Sequence, residues 1–475
     1  MVQGIQGEQR PGRRNFFWQT VSHLKDYCAN CSLAGFAYIA NSRLHITERV
    51  FWLACVIISS LGCYLLIADY QRSFPTRAVS IVHESLPPFT KWTFPTVAVC
   101  EYVYKNKMST RMEEYIQSLG PDHESDYSYI VESAIAGILY PHSYNEGAYK
   151  SKCSIPKKCP TCAECPKKNY RLLATMYGGN CTEFFVECKL SGKPFDCCRY
   201  FLSMFTPYGR CFMLNSLQNN EPGSRHWLPN KLDPADQKAH MQLVTVSPIY
   251  VALMNAEDVP HTGLLPTGTL ASKQGVTKVF YFNQMRMKND PDVREVEPKV
   301  RSCLFPDENK PSSLYRVYSF NSCIIDCARE RQFRLCNCTS FLMNPEADPR
   351  FPDCDLEGFY CLEGHSAMRP DQTLLVKNNK EGGCNCLPSC NDGDISAVYD
   401  DVYSFDRNGQ FFNVSVSMPA PPTDQFRRQA LRTRLDVVVS MGGMLGLFLG
   451  ASILSGIEFV YYFTVRPLTN ILQAR

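Results

Sequence analysis

Two long apolar stretches separate three polar ones, and that alternation organises the chain. Val50 to Ala68 is a run of 19 residues with no charge, bounded by Glu48 and Arg49 on one side and by Asp69 on the other. As an α-helix it would be about 28 Å long, close to the roughly 30 Å of a bilayer's hydrocarbon core, so the pattern predicts a membrane span over 50–68. A second uncharged run extends from Val437 to Ile457, and after the single acid Glu458 the apolar character continues to Val465. The mostly polar segment 1–49 ahead of the first run is not the layout of a cleaved leader, so the first span is expected to act as its own signal anchor. A core helix is the alternative for the first run, and its length without a charge argues against it.

Two spans place residues 1–49 and 466–475 on one side of a membrane and residues 69–436 on the other. Inside that loop, Val79 to Cys100 and Thr277 to Met287 are rich in β-branched or alternating positions and are expected as strands; Ser109 to Leu119 is expected as a short helix. Pro419, Pro421 and Pro422 predict an extended linker into the second span. No solenoid-length repeat or long low-complexity tract interrupts the loop. A mixed α+β domain follows.

Cysteine decides the side. Of 24 cysteines, 20 lie between Cys100 and Cys390, a density expected of disulfides formed outside the cytosol. Sequons at Asn180, Asn337 and Asn413 lie in the same stretch, the first two with cysteine in the middle position. Both termini are then cytosolic, in keeping with the basic Arg10, Arg13, Arg14, Lys25, Arg43 and Arg49 before the first span and Arg466 and Arg475 after the second. Arg427, Arg428, Arg432 and Arg434 oppose a simple positive-inside count, from which so long a loop is largely exempt. Cys153, Cys159, Cys162 and Cys165 have a spacing that could suit zinc or an iron–sulfur cluster, but in an extracellular loop disulfides explain it better. Cys28 and Cys31, on the cytosolic side, read as an inert or lipidated pair.

Charge adds an exclusion. Lysine plus arginine (49) nearly balance aspartate plus glutamate (46), so no global field argues for nucleic acid. No Gly-x-Ser-x-Gly elbow, His-Glu-x-x-His motif or phosphate-binding glycine loop is present, so no enzyme chemistry and no cofactor is expected.

The second span carries the candidate chemistry. Projected as one helix, Gly442, Val439, Gly446 and Gly450 share a face within about 80°, while Val437, Met441, Met444 and Phe448 fall on the far side between about 200° and 260°. Such a glycine face is either a packing seam between helices or a pore wall whose exposed carbonyls replace water around a small cation. Both readings imply oligomers. The far, bulky face is expected to meet lipid, and Glu458 is expected to add negative charge at the cytosolic end of a pore.

Gly442-Gly-Met-Leu-Gly-Leu-Phe-Leu-Gly-Ala-Ser-Ile-Leu-Ser-Gly-Ile-Glu458 resembles the pore helix of the degenerin/epithelial sodium channel family. Phe94-Pro-Thr-Val-Ala-Val-Cys100 resembles that family's signature after the first span. The series Cys303, Cys323, Cys327, Cys336, Cys338, Cys354, Cys361, Cys384, Cys386 and Cys390 resembles the ten-cysteine thumb of its acid-sensing members, and the proline-containing group and short tail resemble insect pickpocket or Nach-like chains.

The resemblance implies a membrane protein with two transmembrane helices (50–68 and 437–465) and a large α+β, disulfide-rich extracellular domain (69–436, thumb about 303–390), in a trimeric channel architecture. It implies a sodium-selective, amiloride-sensitive channel subunit at the plasma membrane, embedded in lipid and assembled as a homo- or hetero-trimer with related subunits. Gly450, Ala451 and Ser452 would form the selectivity filter, and Gly446 would be the amiloride position. Nested bridges Cys303–Cys390, Cys323–Cys386, Cys327–Cys384, Cys336–Cys361 and Cys338–Cys354 are implied in the thumb. The chain departs from the pattern at Ala34-Gly35, where the family has His-Gly at a gating position, and at Val439, which falls at the degenerin position where a small residue is usual. A non-conducting or auxiliary subunit, or a two-span ligand-binding receptor, is the alternative.

Overall fold

A computed structural model of the chain describes residues 24–73, 79–87, 91–102, 110–119, 125–140, 153, 165–178, 180–229, 231–232, 239–261, 267–368, 384–405, 409–431 and 434–473. These fall into two compact units. One comprises Met1–Ser80, Asp290–Arg301 and Gln429–Arg475; the other comprises Ile81–Asn289 and Ser302–Arg428. Ser109, Cys159, Cys162, Arg432, Arg475 and the basic residues Arg10, Arg13 and Arg14 lie outside the described residues.

In the first unit the apolar run 50–68 sits within a helix, Ile46–Ser73, which extends beyond the run at both ends. Among the described residues it is the one helix long and apolar enough to cross a membrane unaided. The second run is not the single helix that its hydropathy predicts. It forms Arg434–Leu449, then Ile453–Val460, a π-helical turn Tyr461–Val465, and Arg466–Gln473. The parts before and after residues 450–452 are bent by 74°, and only together do they match the length and apolarity of a span.

The second unit is built on two sheets. The larger orders its strands Val79–Ser85, Asp424–Ala430, Val276–Asn289, Phe412–Ser417, His240–Thr245, Phe185–Leu190 and Lys193–Pro194, with Asp394–Phe405 also paired to Val276–Asn289. The smaller is antiparallel throughout: Thr267–Ala271, Ile249–Met254, Thr96–Glu101, Gly209–Leu214 and Phe201–Thr206. Alternation along the strands turns Phe282, Phe212, Leu243 and Val416 into a common core, which Phe94 joins from the link between Trp92–Thr93 and Thr96–Glu101. A helical cluster, Ser125–Leu139, Tyr170–Tyr177 and Leu356–Gly364, buries a separate one around Ile135, Leu173 and Phe359.

Several local expectations are refined. The stretch 79–100 is three strands rather than one, since Pro87 and Pro95 each remove a backbone donor. The strand expected over 277–287 lies within Val276–Asn289, and the short helix is Thr110–Leu119. The prolines at 419, 421 and 422 link Phe412–Ser417 to Asp424–Ala430, so a further strand intervenes before helix Arg434–Leu449.

Disulfides staple the second unit. Cys100–Cys211 joins directly paired residues of adjacent strands, and Cys153–Cys165, Cys181–Cys198 and Cys188–Cys197 are short-range loops. Between 303 and 390 the bridges are Cys303–Cys390, Cys323–Cys386, Cys327–Cys384, Cys336–Cys361 and Cys338–Cys354. Helix Phe320–Cys336 anchors three of them, through Cys323, Cys327 and Cys336, starting at the Ser319 N-cap and ending at Asn337 in the left-handed region. At the base of this module Arg428 Nη1 donates to the Cys390 carbonyl at 2.6 Å. Cys28, Cys31, Cys55 and Cys63 are free thiols.

Candidate functional site: the broken apolar helix

The break at 450–452 is made by a helix stop followed at once by a helix start. Gly450 has φ +63°, and its N–H donates to the Gly446 carbonyl at 3.0 Å, closing the first helix with a left-handed cap. Ser452 then caps the next helix: its Oγ accepts from Ser455 N–H at 3.3 Å, while Ser455 Oγ accepts from Ser452 N–H at 3.1 Å. Gly450, Ala451 and Ser452 therefore lie outside both helices. The projection that put Gly450 on the face of Gly442 and Gly446 assumed an unbroken helix and does not extend past Leu449.

Residues from the N-terminal segment hold both sides of this break. Ala34 N–H donates to the Leu449 carbonyl at 3.0 Å, satisfying one of the acceptors that a helix end leaves unpaired. Ser32 Oγ and Ser455 Oγ are 2.7 Å apart, and Ser32 N–H donates to Glu458 Oε2 at 2.9 Å. A Cβ on Gly450 would lie 3.4 Å from Ala34 Cβ. Gly35 has φ +89°, and a Cβ there would come within 2.7 Å of Val56 Cγ2, so only glycine fits the turn against helix Ile46–Ser73. Further along, Tyr27 packs edge-on against Phe459, Tyr462 and Phe463, and Asp26 pairs with Arg466 at 2.8 Å.

The two faces of Arg434–Leu449 differ sharply. Val439 is 64% exposed, and nothing lies within 4 Å of a Cβ added at Gly442 or Gly443. Met441, Met444 and Phe448 are half-buried, and Phe448 fills the gap left by Gly62 of the first apolar helix: a Cβ there would sit 3.1 Å from its Cε1. The bulky face is thus covered in part by the first apolar helix, at Phe448. The glycine face stays uncovered within a single chain.

Glu458, expected to contribute charge to a pore, accepts the Ser32 N–H. Ser32 and Ser455 were not singled out as functional by the sequence, although Ser452-x-x-Ser455 is a readable capping pattern; Ala34 was marked only as a departure from the family's His-Gly. Of the sequons, Asn180 and Asn337 are exposed, whereas Asn413 is half-buried in a strand hydrogen-bonded on both sides. Among the described residues no group of three His, Cys, Asp or Glu is arranged to hold a metal.

The chain thus combines a disulfide-stapled mixed α/β unit with apolar helices, one pair of them broken at a Gly-Ala-Ser triplet. The amiloride-sensitive sodium channel family model matches residues 27–462. Pickpocket protein 19 of Drosophila melanogaster is 22% identical over 470 residues, covering 91% of this chain and 88% of that protein. Sodium channel protein Nach of Drosophila ananassae is 21% identical over 469 residues, covering 93% and 86%. A cryo-EM structure of a proton-activated chloride channel covers 87% of this chain and 95% of that one at 6% identity, with a TM-score of 0.24 that is too low to bear on the fold. The chain belongs to the amiloride-sensitive sodium channel family, and its relatives include insect pickpocket and Nach proteins.

Proposed function

We propose that this chain is one subunit of a trimeric, amiloride-sensitive channel that passes sodium ions across the plasma membrane. It crosses the membrane twice, at 50–68 and again through the broken pair ending near 465, with both termini cytosolic and the stapled domain outside. The observation that supports this most is the break itself. Three consecutive small residues, Gly450, Ala451 and Ser452, leave the helical ladder in the middle of an apolar run, and their backbone and hydroxyl oxygens are the kind of ligand that replaces water around a small cation. Gly442, Gly446 and Val439 line the wall that leads to them, with Gly446 as the amiloride contact. The uncovered glycine face supplies the surface on which copies converge.

The test replaces Ser452 with a bulkier residue and measures reversal potentials under bi-ionic sodium and potassium conditions, alone and with related subunits. An altered permeability ratio, or lost current with normal surface delivery, supports the assignment. Unchanged reversal potentials overturn it. Ala34, where the family has histidine before the conserved glycine, favours a second reading as an auxiliary subunit that conducts only in mixed assemblies; current seen only on co-expression selects that reading.

A further inference from the structure

The second unit contains a cavity of about 540 Å³ between its two sheets and the loop that follows Asn215. Its size falls within the range of small-molecule sites. Phe94, Trp227, Met254 and Met287 give it apolar walls, while Gln284 and Arg286 enter from strand Val276–Asn289.

The rim is fixed by hydrogen bonds rather than left to a mobile loop. Asn215 donates Nδ2–H to the Leu228 carbonyl and accepts the Leu228 N–H at Oδ1, both at 2.8 Å, and Thr96 Oγ1 donates to the Asn215 carbonyl at 2.9 Å. Asn220 closes the turn before Trp227 by donating to the His226 carbonyl at 2.8 Å. On the far wall Asn255 donates to Asp392 Oδ1 at 2.8 Å and to the Gly393 carbonyl at 3.2 Å. Gly393 can approach because a Cβ there would fall 2.8 Å from the Met285 carbonyl oxygen.

Within this frame Arg286 is the one ionisable residue among those lining the cavity. Its Nε is buried without a hydrogen-bond partner. No carboxylate pairs with it among the described residues, although the ordinary arrangement for a partly buried guanidinium is a paired one. Asp392 and Glu257, each next in sequence to a lining residue, are engaged by Asn255 and Asn391. A single positive fork among polar and aromatic lining residues is matched by one negative fork on a partly apolar body.

We infer that this cavity is a binding site for a small organic monocarboxylate, held by a bidentate contact to Arg286, with its apolar portion against Phe94 and Trp227. An inorganic dianion fits less well, since the lining offers one cation and acids lie behind it. The site is independent of the pore, and its test reads binding, so failure here leaves the channel reading untouched.

The experiment uses the full-length protein in detergent or nanodiscs, with phenylacetate, its neutral isostere phenylacetamide, and sulfate as probes, read by thermal stabilisation and direct titration. Phenylacetate is expected to bind at least about tenfold more tightly than phenylacetamide or sulfate, the scale of one charge-assisted forked contact. Arg286→Gln should abolish that preference and Arg286→Lys should reduce it, while Lys310→Gln in the thumb leaves it unchanged. Equal affinity for acid and amide, no phenylacetate binding, or a preference that survives in Arg286→Gln would overturn the proposal. Should the glutamine variant fail to fold, the acid-to-amide comparison on the native chain and the lysine variant decide it.

Discussion

The N–H of Ala34 donates to the carbonyl of Leu449 across 415 residues of sequence, at 3.0 Å. It ties a segment ahead of the first apolar helix to the last residue of a helix that stops inside the second apolar run. With the Ser32–Ser455 hydroxyl pair and the Ser32–Glu458 contact it makes the shape of the break depend on residues 32–35.

That dependence predicts coupling between Ser32 and Ser455. Their contact is half-buried, and a hydrogen bond of this kind contributes about 0.5–1.5 kcal/mol. Ser32→Ala and Ser455→Ala should each shift open probability, and the double variant should shift it less than the sum. A double-mutant cycle on single-channel records checks this; strict additivity would show that the contact plays no part in gating.

Gly35→Ala should be severe. The left-handed conformation costs a non-glycine residue about 1–2 kcal/mol, and the approach to Val56 Cγ2 adds a clash. Surface expression and current should both fall, and Val56→Ala should restore only part of the loss because the backbone strain remains. Complete rescue would assign the whole effect to packing.

Val439 is exposed on the glycine face, so in the proposed assembly its methyl groups would crowd the axis where copies converge. Overpacking at a tight contact costs about 1–3 kcal/mol, enough to shift a two-state gate by about fivefold to more than a hundredfold. Val439→Ala or Val439→Gly should lower resting current at equal surface expression. An unchanged or higher current would mean that the closed pore accommodates valine.

The disulfide-stapled unit should respond to pH in two opposite ways. Burial raises Glu257 to about 7, and burial with the neighbouring Glu257 and Asp392 raises Asp258 to about 8. These carboxyls hold protons in the folded state that the unfolded chain releases, so the stability they contribute is full in acid and lost as pH rises towards 7–8. Burial lowers His261 to about 4, so its contribution is present above the ordinary imidazole range and lost as pH falls towards 4. Between about pH 6.5 and 8 the carboxyl effect acts alone, and melting temperature should rise on acidification. Glu257→Gln should reduce that limb, leaving the part due to Asp258, and His261→Asn should reduce the acid one; melting curves across pH check both.

Hydropathy located both apolar runs but could not show that one of them is broken. Leu, Ile and Phe on either side of residues 450–452 are equally apolar in a straight or a bent helix, whereas the break is a matter of backbone dihedrals. Its local sign was present all the same: glycine suited to a left-handed cap, then Ser452-x-x-Ser455 as a capping box. The contacts of Ser32 and Ala34 had no such sign, because nothing in a serine or an alanine announces a partner more than 400 residues away. The cysteines spoke for oxidation by number alone. Their nesting could not be read from spacing, since ten cysteines permit many pairings.

The bridges between 303 and 390 enclose one another, and the outermost brings the Cα atoms of Cys303 and Cys390 to 5.1 Å. A module whose entrance and exit nearly coincide behaves as an insertion into the strands that carry it, the geometry at which whole domains are tolerated as inserts. Lengthening or trimming the chain inside the nest changes nothing at its doorway, where Cys390 N–H reaches the Leu304 carbonyl at 2.8 Å. Such a module can diversify its outer surface, or be exchanged whole between relatives, while the sheets at its base keep their register.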